Sequence, residues 1–266
     1  MPRVRSTAER LHLRQMFEEV PALYDRARPT YPPELFDDLA SLGRIPEGGK
    51  ILELGPGTGK ATRSLAERGF EVVGIEMGED LAAFARANLA AFPNVEIVNE
   101  PFEAWETSAR FDAVVAFTSF HWIDPEVKYA KSARLLREGG ALGVAGSRHV
   151  MPEDGDPFWA EVQEDYDAVV PSPDNKPPPL PDEVEGLGEE IDASGYFRHV
   201  STQAYLRDLV YTADAYVALL DTYSGHRTIP EAQRVELYER IRARVGDGTV
   251  RKTYLFMLNV AIRLSG

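Results

Sequence analysis

The chain has 266 residues, of which 44% are hydrophobic and 10% aromatic, enough to bury one large core. Its 43 Asp and Glu outnumber its 29 Lys and Arg, and the formal net charge of −14 argues against a nucleic-acid or anionic membrane partner. The absence of cysteine excludes a disulfide framework, a thiolate nucleophile and Cys-based zinc sites, and it fits a reducing cytoplasm.

The amino-terminal segment contains one basic run, formed by Arg3, Arg5, Arg10 and Arg14. The run is too sparse for a nucleic-acid arm, so we interpret it as a solvated helix face. No apolar stretch approaches the roughly 20 residues of a membrane helix, and residues 1–20 lack the apolar segment of a secretory signal. We therefore expect a cytoplasmic protein with no membrane partner.

Residues 34–147 alternate short apolar runs with amphipathic stretches, which is typical of βα units that form a parallel sheet covered on both faces. The predicted strands span residues 50–54, 71–76, 95–99, 111–117 and 141–147. The predicted helices span residues 35–42, 61–68, 79–91 and 125–136. The pattern predicts an α/β fold with a Rossmann-like, doubly wound sheet.

The second half of the chain has a different pattern. Six prolines within residues 171–181 exclude a regular helix or a central strand, so this stretch is predicted to be a loop. Beyond it, the apolar pattern predicts two strands, at 196–209 and 250–264, and two helices, at 213–222 and 230–245.

The strongest motif is Ile51-Leu-Glu-Leu-Gly-Pro-Gly-Thr-Gly-Lys60, an apolar strand that ends in three glycines and runs into a helix. Gly55, Gly57 and Gly59 allow a sharp turn and close approach of a ligand, and the helix start supplies free N–H groups. A dinucleotide motif requires a third glycine where this chain has Lys60, so the spacing favours S-adenosylmethionine over NAD. Glu53 at the strand end is suited to the ammonium group of the methionine moiety.

A second carboxylate, Glu76, ends the next apolar run, 23 positions after Glu53. An acid at the tip of the second strand can accept both ribose hydroxyls of a nucleoside. Either feature alone has a structural explanation, but the two in register indicate a nucleoside cofactor site.

With these motifs, the chain resembles the class I S-adenosylmethionine-dependent methyltransferases, in particular the type 11 and 12 small-molecule branch that includes proteins similar to trans-aconitate methyltransferase. The resemblance covers most of the chain and rests on residues 53–59, 76, 111–116, 121–122 and 135–140. It implies a seven-stranded mixed sheet, with the last strand inserted antiparallel beside the fifth. We expect one domain: an N-terminal lid (1–33), the S-adenosylmethionine-binding core (34–147), a helical substrate cap that includes the sixth strand (148–249) and the final strand (250–266).

The resemblance also implies roles on the cofactor side. The three glycines would line the methionine portion, Glu76 would bind the ribose, and Met77 would pack on the adenine. Phe102 would flank the adenine edge, although it is equally interpreted as a core aromatic, and Thr118 would lie beneath the sulfonium. Pro101 stands where many relatives have an Asp for the adenine amino group, so Glu103 or backbone groups would replace that contact.

Candidate acceptor-side residues follow the fourth strand. His121 is the candidate catalytic residue, because histidine has an ordinary pKa of about 6.5. It would act as a base or donate a hydrogen bond to a carboxylate. The alternative is a structural role. Trp122 resembles the aromatic residue that borders the acceptor in carboxyl-methylating relatives, and it is also suited to packing.

Two further segments contribute candidates. In the lid, Tyr24 is expected to reach the methionine carboxylate or the acceptor, and Arg28 and Tyr31 to contact the acceptor; the alternative is lid packing with a surface ion pair. In the cap, Tyr223, His226 and Arg227 are expected to form a second wall, with Arg227 pairing with an acceptor carboxylate. Their alternative is a basic helix end that complements the dipole.

No histidine spacing indicates a metal site, so no metal is expected.

The predicted function is methylation of a small organic acceptor, with the cofactor converted to S-adenosylhomocysteine. An oxygen acceptor, either a carboxylate or a hydroxyl, is favoured over nitrogen or carbon. The rival classes are a nucleic-acid methyltransferase, an NAD oxidoreductase, and an S-adenosylmethionine-binding protein with another role. We expect a monomer or a homodimer.

Overall fold

The structure is a computed structural model that describes residues 21–172 and 175–265. The basic run predicted near the amino end lies outside these residues, as does most of the predicted lid. In the described ranges, no helix is both long enough and apolar enough to cross a membrane.

Seven strands form one mixed sheet in the order β3-β2-β1-β4-β5-β7-β6. The first five strands are parallel, and β7 pairs antiparallel with both β5 and β6. The strands are β1 (Lys50–Leu54), β2 (Glu71–Glu76), β3 (Val95–Asn99), β4 (Phe111–Phe117), β5 (Leu136–Val150), β6 (Phe197–Thr212) and β7 (Thr249–Arg263). This is the predicted sheet, including the antiparallel insertion beside the fifth strand.

Helices cover both faces of the sheet. They are α1 (Pro21–Ala27), α2 (Pro33–Leu42), α3 (Lys60–Glu67), α4 (Glu79–Asn88), α5 (Pro125–Leu135), α6 (Phe158–Glu161), α7 (Gln163–Val169), α8 (Gly188–Ala193), α9 (Ala213–Leu220), α10 (Ser224–Arg227) and α11 (Glu231–Val245). Buried side chains from α2, α3, α9 and α11 share one core with the sheet, whereas those from α5 and α8 belong to a second core. The sheet is buried between these two layers because its central strands are apolar on both faces.

Helix boundaries follow local chemistry. Pro125 occupies the first position of α5, and the Asp124 side chain accepts a hydrogen bond from the backbone N–H of Glu126, as predicted for a capped start. Gly59 is the N-cap of α3 and has a φ of 88°, a left-handed conformation that favours glycine.

The last three strands are three times as long as β1. β5, β6 and β7 have 15, 16 and 15 residues, compared with five in β1. The ladder between β5 and β7 runs from Ala141 opposite Ile262 to Val150 opposite Thr253, so both strands extend beyond the carboxyl edge of the parallel strands. This extension and the helices α7, α9 and α10 surround a cavity described below.

The fifth strand was predicted too short, since it begins at Leu136 and ends at Val150 rather than spanning 141–147. The sequence Arg137-Glu-Gly-Gly140 has the composition of a turn, and it forms a bulge in the ladder: Leu136 pairs with Phe111 and Ala141 with Ala113, so these four residues lie opposite Asp112 alone. Four helices in the cap, α6, α7, α8 and α10, were not predicted because they have only four to seven residues. Helices this short leave no clear apolar period in the sequence.

Candidate active site

The turn after β1 is built from glycines in left-handed conformations. Gly55 has a φ of 69°, and a Cβ there would lie 2.8 Å from the Cβ of Ser119. Gly57 has a φ of 59° and open space around it. At Gly59 a Cβ would lie 2.7 Å from Cδ1 of Leu89, so this third glycine is required for packing of α3 against the end of α4.

Glu76 joins the tip of β2 to this turn. Its carboxylate accepts hydrogen bonds from the backbone N–H groups of Gly57 at 2.9 Å and Gly78 at 3.0 Å. The side chain is 6% exposed, yet it lines a cavity. The carboxylate is therefore held in a fixed position at the carboxyl edge of the sheet, where ligands of open α/β sheets bind.

This first cavity has a volume of about 260 Å³. It lies over the ends of β1, β2 and β4. Most of the predicted cofactor residues line it, and so do the predicted acceptor residues after β4. The predicted residues in its wall are Tyr24, Arg28, Gly55, Gly57, Glu76, Met77, Phe102, Thr118, His121 and Trp122.

A second cavity of about 430 Å³ adjoins the first and shares Tyr24, Arg28, Gly55, Gly57 and Thr118 with it. Its other predicted members are Glu53, Tyr31, Tyr223 and His226. The two cavities together bring 14 of the 16 predicted residues to one cleft. Gly59 and Arg227 line neither cavity.

Arg227 lies beside an acidic residue and lines neither cavity. Its Nη1 lies 3.8 Å from Oδ2 of Asp221 and donates a long hydrogen bond to the Asp221 carbonyl. His121 lines the first cavity only, beside Trp122 with ring centres 4.7 Å apart. The structure therefore does not bring His121 or Arg227 to the second cavity.

Glu53 is the most confined acid of the cleft. It is 1% exposed, and neither carboxylate oxygen has a hydrogen-bond partner in the described structure. Burial raises its pKa to about 7; the hydroxyl of Thr62, which lies nearby without a well-formed hydrogen bond to the carboxylate, opposes this in part, and the charge of Glu76 adds to it. A buried carboxylate that faces a cavity without a partner is suited to bind a cationic group of a ligand.

The junction between the cavities is held in place by two polar contacts. Thr118 has a φ of 58°, uncommon for a residue other than glycine, and its hydroxyl is 2.6 Å from the hydroxyl of Tyr31. Arg28 donates to Oγ1 and to the carbonyl of Thr222, at 2.8 and 2.9 Å, and its guanidinium lies 4.1 Å from the ring centre of Tyr223. These contacts join the segment around α1 to β4 and to the cap.

Sequence reasoning missed one side of the second cavity. The missed residues are His149, Tyr166, Tyr216, Lys252 and Tyr254. They come from four elements that together span about 100 positions of the chain, from His149 to Tyr254, and no short motif joins them. The one available signal was Lys252 within an otherwise apolar strand, because lysine is rarely buried without a reason.

The histidines of the second cavity are kept neutral. Burial, and secondarily the charge of Lys252, lower the pKa of His149 to about 2 and that of His226 to about 4. His226 shares a hydrogen bond of 3.1 Å with the hydroxyl of Tyr166. Across the described ranges, no group of three or more His, Asp or Glu residues has the arrangement of a metal site.

The chain matches known methyltransferases in sequence and in structure. A family model described as a methyltransferase domain matches residues 51–140. An uncharacterized methyltransferase of Mycobacterium tuberculosis is 32% identical over 169 residues, which cover 59% of this chain and 67% of that protein.

Solved structures share the fold. The [4+2]-cyclase SpnF matches with a TM-score of 0.57 and 16% identity over 97% of each chain. Phosphoethanolamine N-methyltransferase 2 of Haemonchus contortus, solved with phosphomonomethylethanolamine and S-adenosylhomocysteine, matches with a TM-score of 0.54 and 16% identity over 100% of this chain and 62% of that one. The family model and the mycobacterial relative agree with the glycine turn, the carboxylate that ends β2 and the order of the sheet. The chain therefore belongs to the class I S-adenosylmethionine-dependent methyltransferases.

Proposed function

We propose that this enzyme transfers the methyl group of S-adenosylmethionine to an oxygen of a small organic acceptor held in the second cavity. The observation that carries the proposal is the pair of adjoining cavities, one lined by the nucleoside-type residues and one lined by aromatic rings. A volume of 430 Å³ lies within the usual range of about 300–1,000 Å³ for small-molecule pockets.

The residues of the cleft fit the cofactor of the family. The unpartnered carboxylate of Glu53 suits the ammonium group, and the open space at Gly57 suits the methionine portion. Glu76 would hold the ribose, with Met77 and Phe102 at the adenine. The cofactor supplies a methyl group already activated by the positive charge of the sulfonium, so the protein mainly has to align the acceptor and exclude water.

The position of His121 supports a change in its expected role. Because it lines the cavity that contains Glu76, Met77 and Phe102, it would cover the nucleoside instead of touching the acceptor. Tyr24, Arg28 and Thr118 line both cavities and would therefore separate cofactor from acceptor.

An ionised carboxylate is the acceptor group that the second cavity suits best. A hydroxyl acceptor needs a free base with a pKa near neutral, but the two histidines of this cavity have pKa values of about 4 or below. Glu53, whose pKa is about 7, also lines the cavity, but it would be occupied by the ammonium group of the cofactor. A carboxylate already carries its negative charge and needs no proton removed. Its methylation yields a methyl ester.

The acceptor class is testable with S-adenosylmethionine labelled in the methyl group and matched panels of carboxylic acids, phenols and amines. We expect label transfer to acids, with the product releasing labelled methanol in alkali, because esters hydrolyse there whereas ethers and N-methyl amines do not. Label found only in alkali-stable products would overturn the carboxylate proposal. Failure of S-adenosylhomocysteine to bind in calorimetry would overturn the function as a whole.

A further inference from the structure

Lys252 is a buried lysine without an acidic partner. The residue is 3% exposed, and its Nζ makes no hydrogen bond or ion pair with the described residues. The other two buried lysines differ: Lys128 Nζ lies 2.6 Å from Glu190, and Lys131 Nζ lies 3.3 Å from Glu106. A buried lysine normally pairs with an acid or gives up its charge, so an unpaired lysine that lines a cavity is suited to bind the anionic group of a ligand.

Aromatic rings surround the side-chain nitrogen of Lys252. Nζ lies 4.7 Å from the ring centre of Trp159, 5.3 Å from that of Tyr254 and 5.8 Å from that of Tyr216. Tyr216 and Tyr254 also line the second cavity. The rings offer weak attraction to the cation and flat apolar walls to a ligand.

A second cation, Arg28, lines the same cavity, and it too has no ion pair with a described carboxylate. The acid in this cavity wall is Glu53 on β1, three strands from β7 in the sheet and thus roughly 14 Å away in the direction across the strands. In a chain with a net charge of −14, this end of the cavity is therefore locally positive. Such a site selects an anionic ligand.

We propose that Lys252 binds a carboxylate of the acceptor, one distinct from the oxygen that receives the methyl group, and that the aromatic walls select a small aromatic acid. The inference rests on the proposed function and deepens it. It replaces the predicted anion-binding role of Arg227, which lies outside the cavity beside Asp221.

Carboxylate binding at Lys252 is coupled to a proton. Burial, and secondarily the charge of Arg28, lower the pKa of Lys252 well below its usual value. The ionisable groups around it are Arg28, which follows α1, His149 on β5, Tyr216 on α9, His226 on α10 and Tyr254 on β7. Burial holds both histidines and both tyrosines neutral, so Lys252 is the group of this set whose protonated form a bound acid would favour.

Calorimetry on the full chain saturated with S-adenosylhomocysteine tests the proposal, with benzoate, phenylacetate and cinnamate as probes and their amides as uncharged controls. We expect at least one acid to bind and its amide to bind at least tenfold more weakly. The measured heat should depend on the ionisation enthalpy of the buffer, which reports proton uptake. Affinity should fall as pH rises, since the charged form of Lys252 becomes harder to form.

Lys252→Met is expected to weaken acid binding by about 30-fold or more and to abolish the buffer-dependent heat. Lys176→Met removes the same charge from an exposed position and should change neither. The buffer dependence of the wild-type protein tests the same coupling if Lys252→Met does not fold.

Absence of binding by all three acids, equal binding of acids and amides, or wild-type affinity in Lys252→Met would overturn the proposal. If S-adenosylhomocysteine still binds in those cases, the methyltransferase function stands and only the acceptor assignment fails.

Discussion

The side chain of Glu53 links ligand binding to stability. A buried carboxyl whose pKa is raised from 4.5 to about 7 favours its protonated form in the folded state. Between these two values, the folded protein binds more protons than the unfolded chain, so stability falls as pH rises. The site residue therefore opposes folding at neutral pH, as is common for residues placed for function.

Glu53→Gln should remove this penalty. We expect the ligand-free variant to be more stable than wild type at pH 8, by up to about 3 kcal/mol, and to differ little at pH 4.5. Urea unfolding at both pH values measures the difference, and the exposed Glu153→Gln serves as control. A stability difference that does not depend on pH would contradict the raised pKa.

Glu76 is predicted to dominate recognition of the ribose. Glu76→Ala removes a carboxylate held by two backbone N–H groups, and we expect about a 100-fold loss of S-adenosylhomocysteine affinity because hydrogen bonds to charged groups are strong. Calorimetry measures the loss, and Glu79→Ala, an exposed acid three residues later, should bind as wild type. Wild-type affinity in Glu76→Ala would place the nucleoside elsewhere.

The convergence of the predicted cofactor residues on one cleft could be predicted from sequence because these residues are local. Glu53, Gly55 and Gly57 stand within five residues, and Glu76 follows one βα unit later, so strand and helix geometry bring them together. The wall of the second cavity that contains Lys252 could not be predicted in the same way. Lys252 stands in an apolar strand that resembles a core strand. Arg227 has the chemistry to bind an anion, but its position beside Asp221 and outside the cavity depends on the folded structure.

At the scale of elements, the glycine turn serves two separate purposes. Gly57 lines both cavities and has no neighbour within 4 Å of a built Cβ, whereas Gly59 caps α3 against Leu89. One glycine leaves space for a ligand, and the other allows two helices to pack.

Alanine substitution should separate these purposes. Both changes place a side chain at positive φ, which costs roughly 1 kcal/mol. Gly59→Ala additionally contacts Leu89, so we expect a further loss of stability, about 1–3 kcal/mol. Gly57→Ala should instead lower S-adenosylhomocysteine affinity more than stability. Thermal unfolding and calorimetry on both variants check this, and equal stability losses would contradict the packing role of Gly59.

Strands were predicted well where their limits are local. β1 to β4 are short apolar runs that end at glycine, proline or a polar residue, and their observed bounds equal the predicted ones. The carboxyl end of β5 and both ends of β6 depend on pairing with β7. For β5, the paired residues are more than 100 positions apart in the chain. Residues such as Arg148 and His149 extend a strand only because a partner strand lies beside them.

At the scale of the whole molecule, ligand and fold should be coupled. The second cavity is lined by residues from Tyr24 to Tyr254, so binding there and in the adjoining cavity involves most of the described chain. We expect a single cooperative unfolding transition, which would also support the prediction of one domain. Two separated transitions would show that the cap folds independently of the core.

S-adenosylhomocysteine at 100 times its dissociation constant should stabilise the protein by about 2.7 kcal/mol and raise the melting temperature by about 5–10 °C. NAD at the same concentration should leave the melting temperature unchanged, because Lys60 stands where a dinucleotide motif requires glycine. Differential scanning calorimetry compares the two ligands. A rise of the melting temperature with NAD and none with S-adenosylhomocysteine would contradict the cofactor assignment.

The long antiparallel strands have a consequence for how this enzyme can change. In many α/β enzymes, loops form the wall of the substrate pocket. Here the wall of the second cavity includes His149 and Tyr254 from the ladder of β5 and β7, and Lys252 from the ladder of β6 and β7. Exchange of one such side chain alters the shape or charge of the wall while the backbone stays in register. A new acceptor preference is thus reachable by single substitutions, without rebuilding a loop.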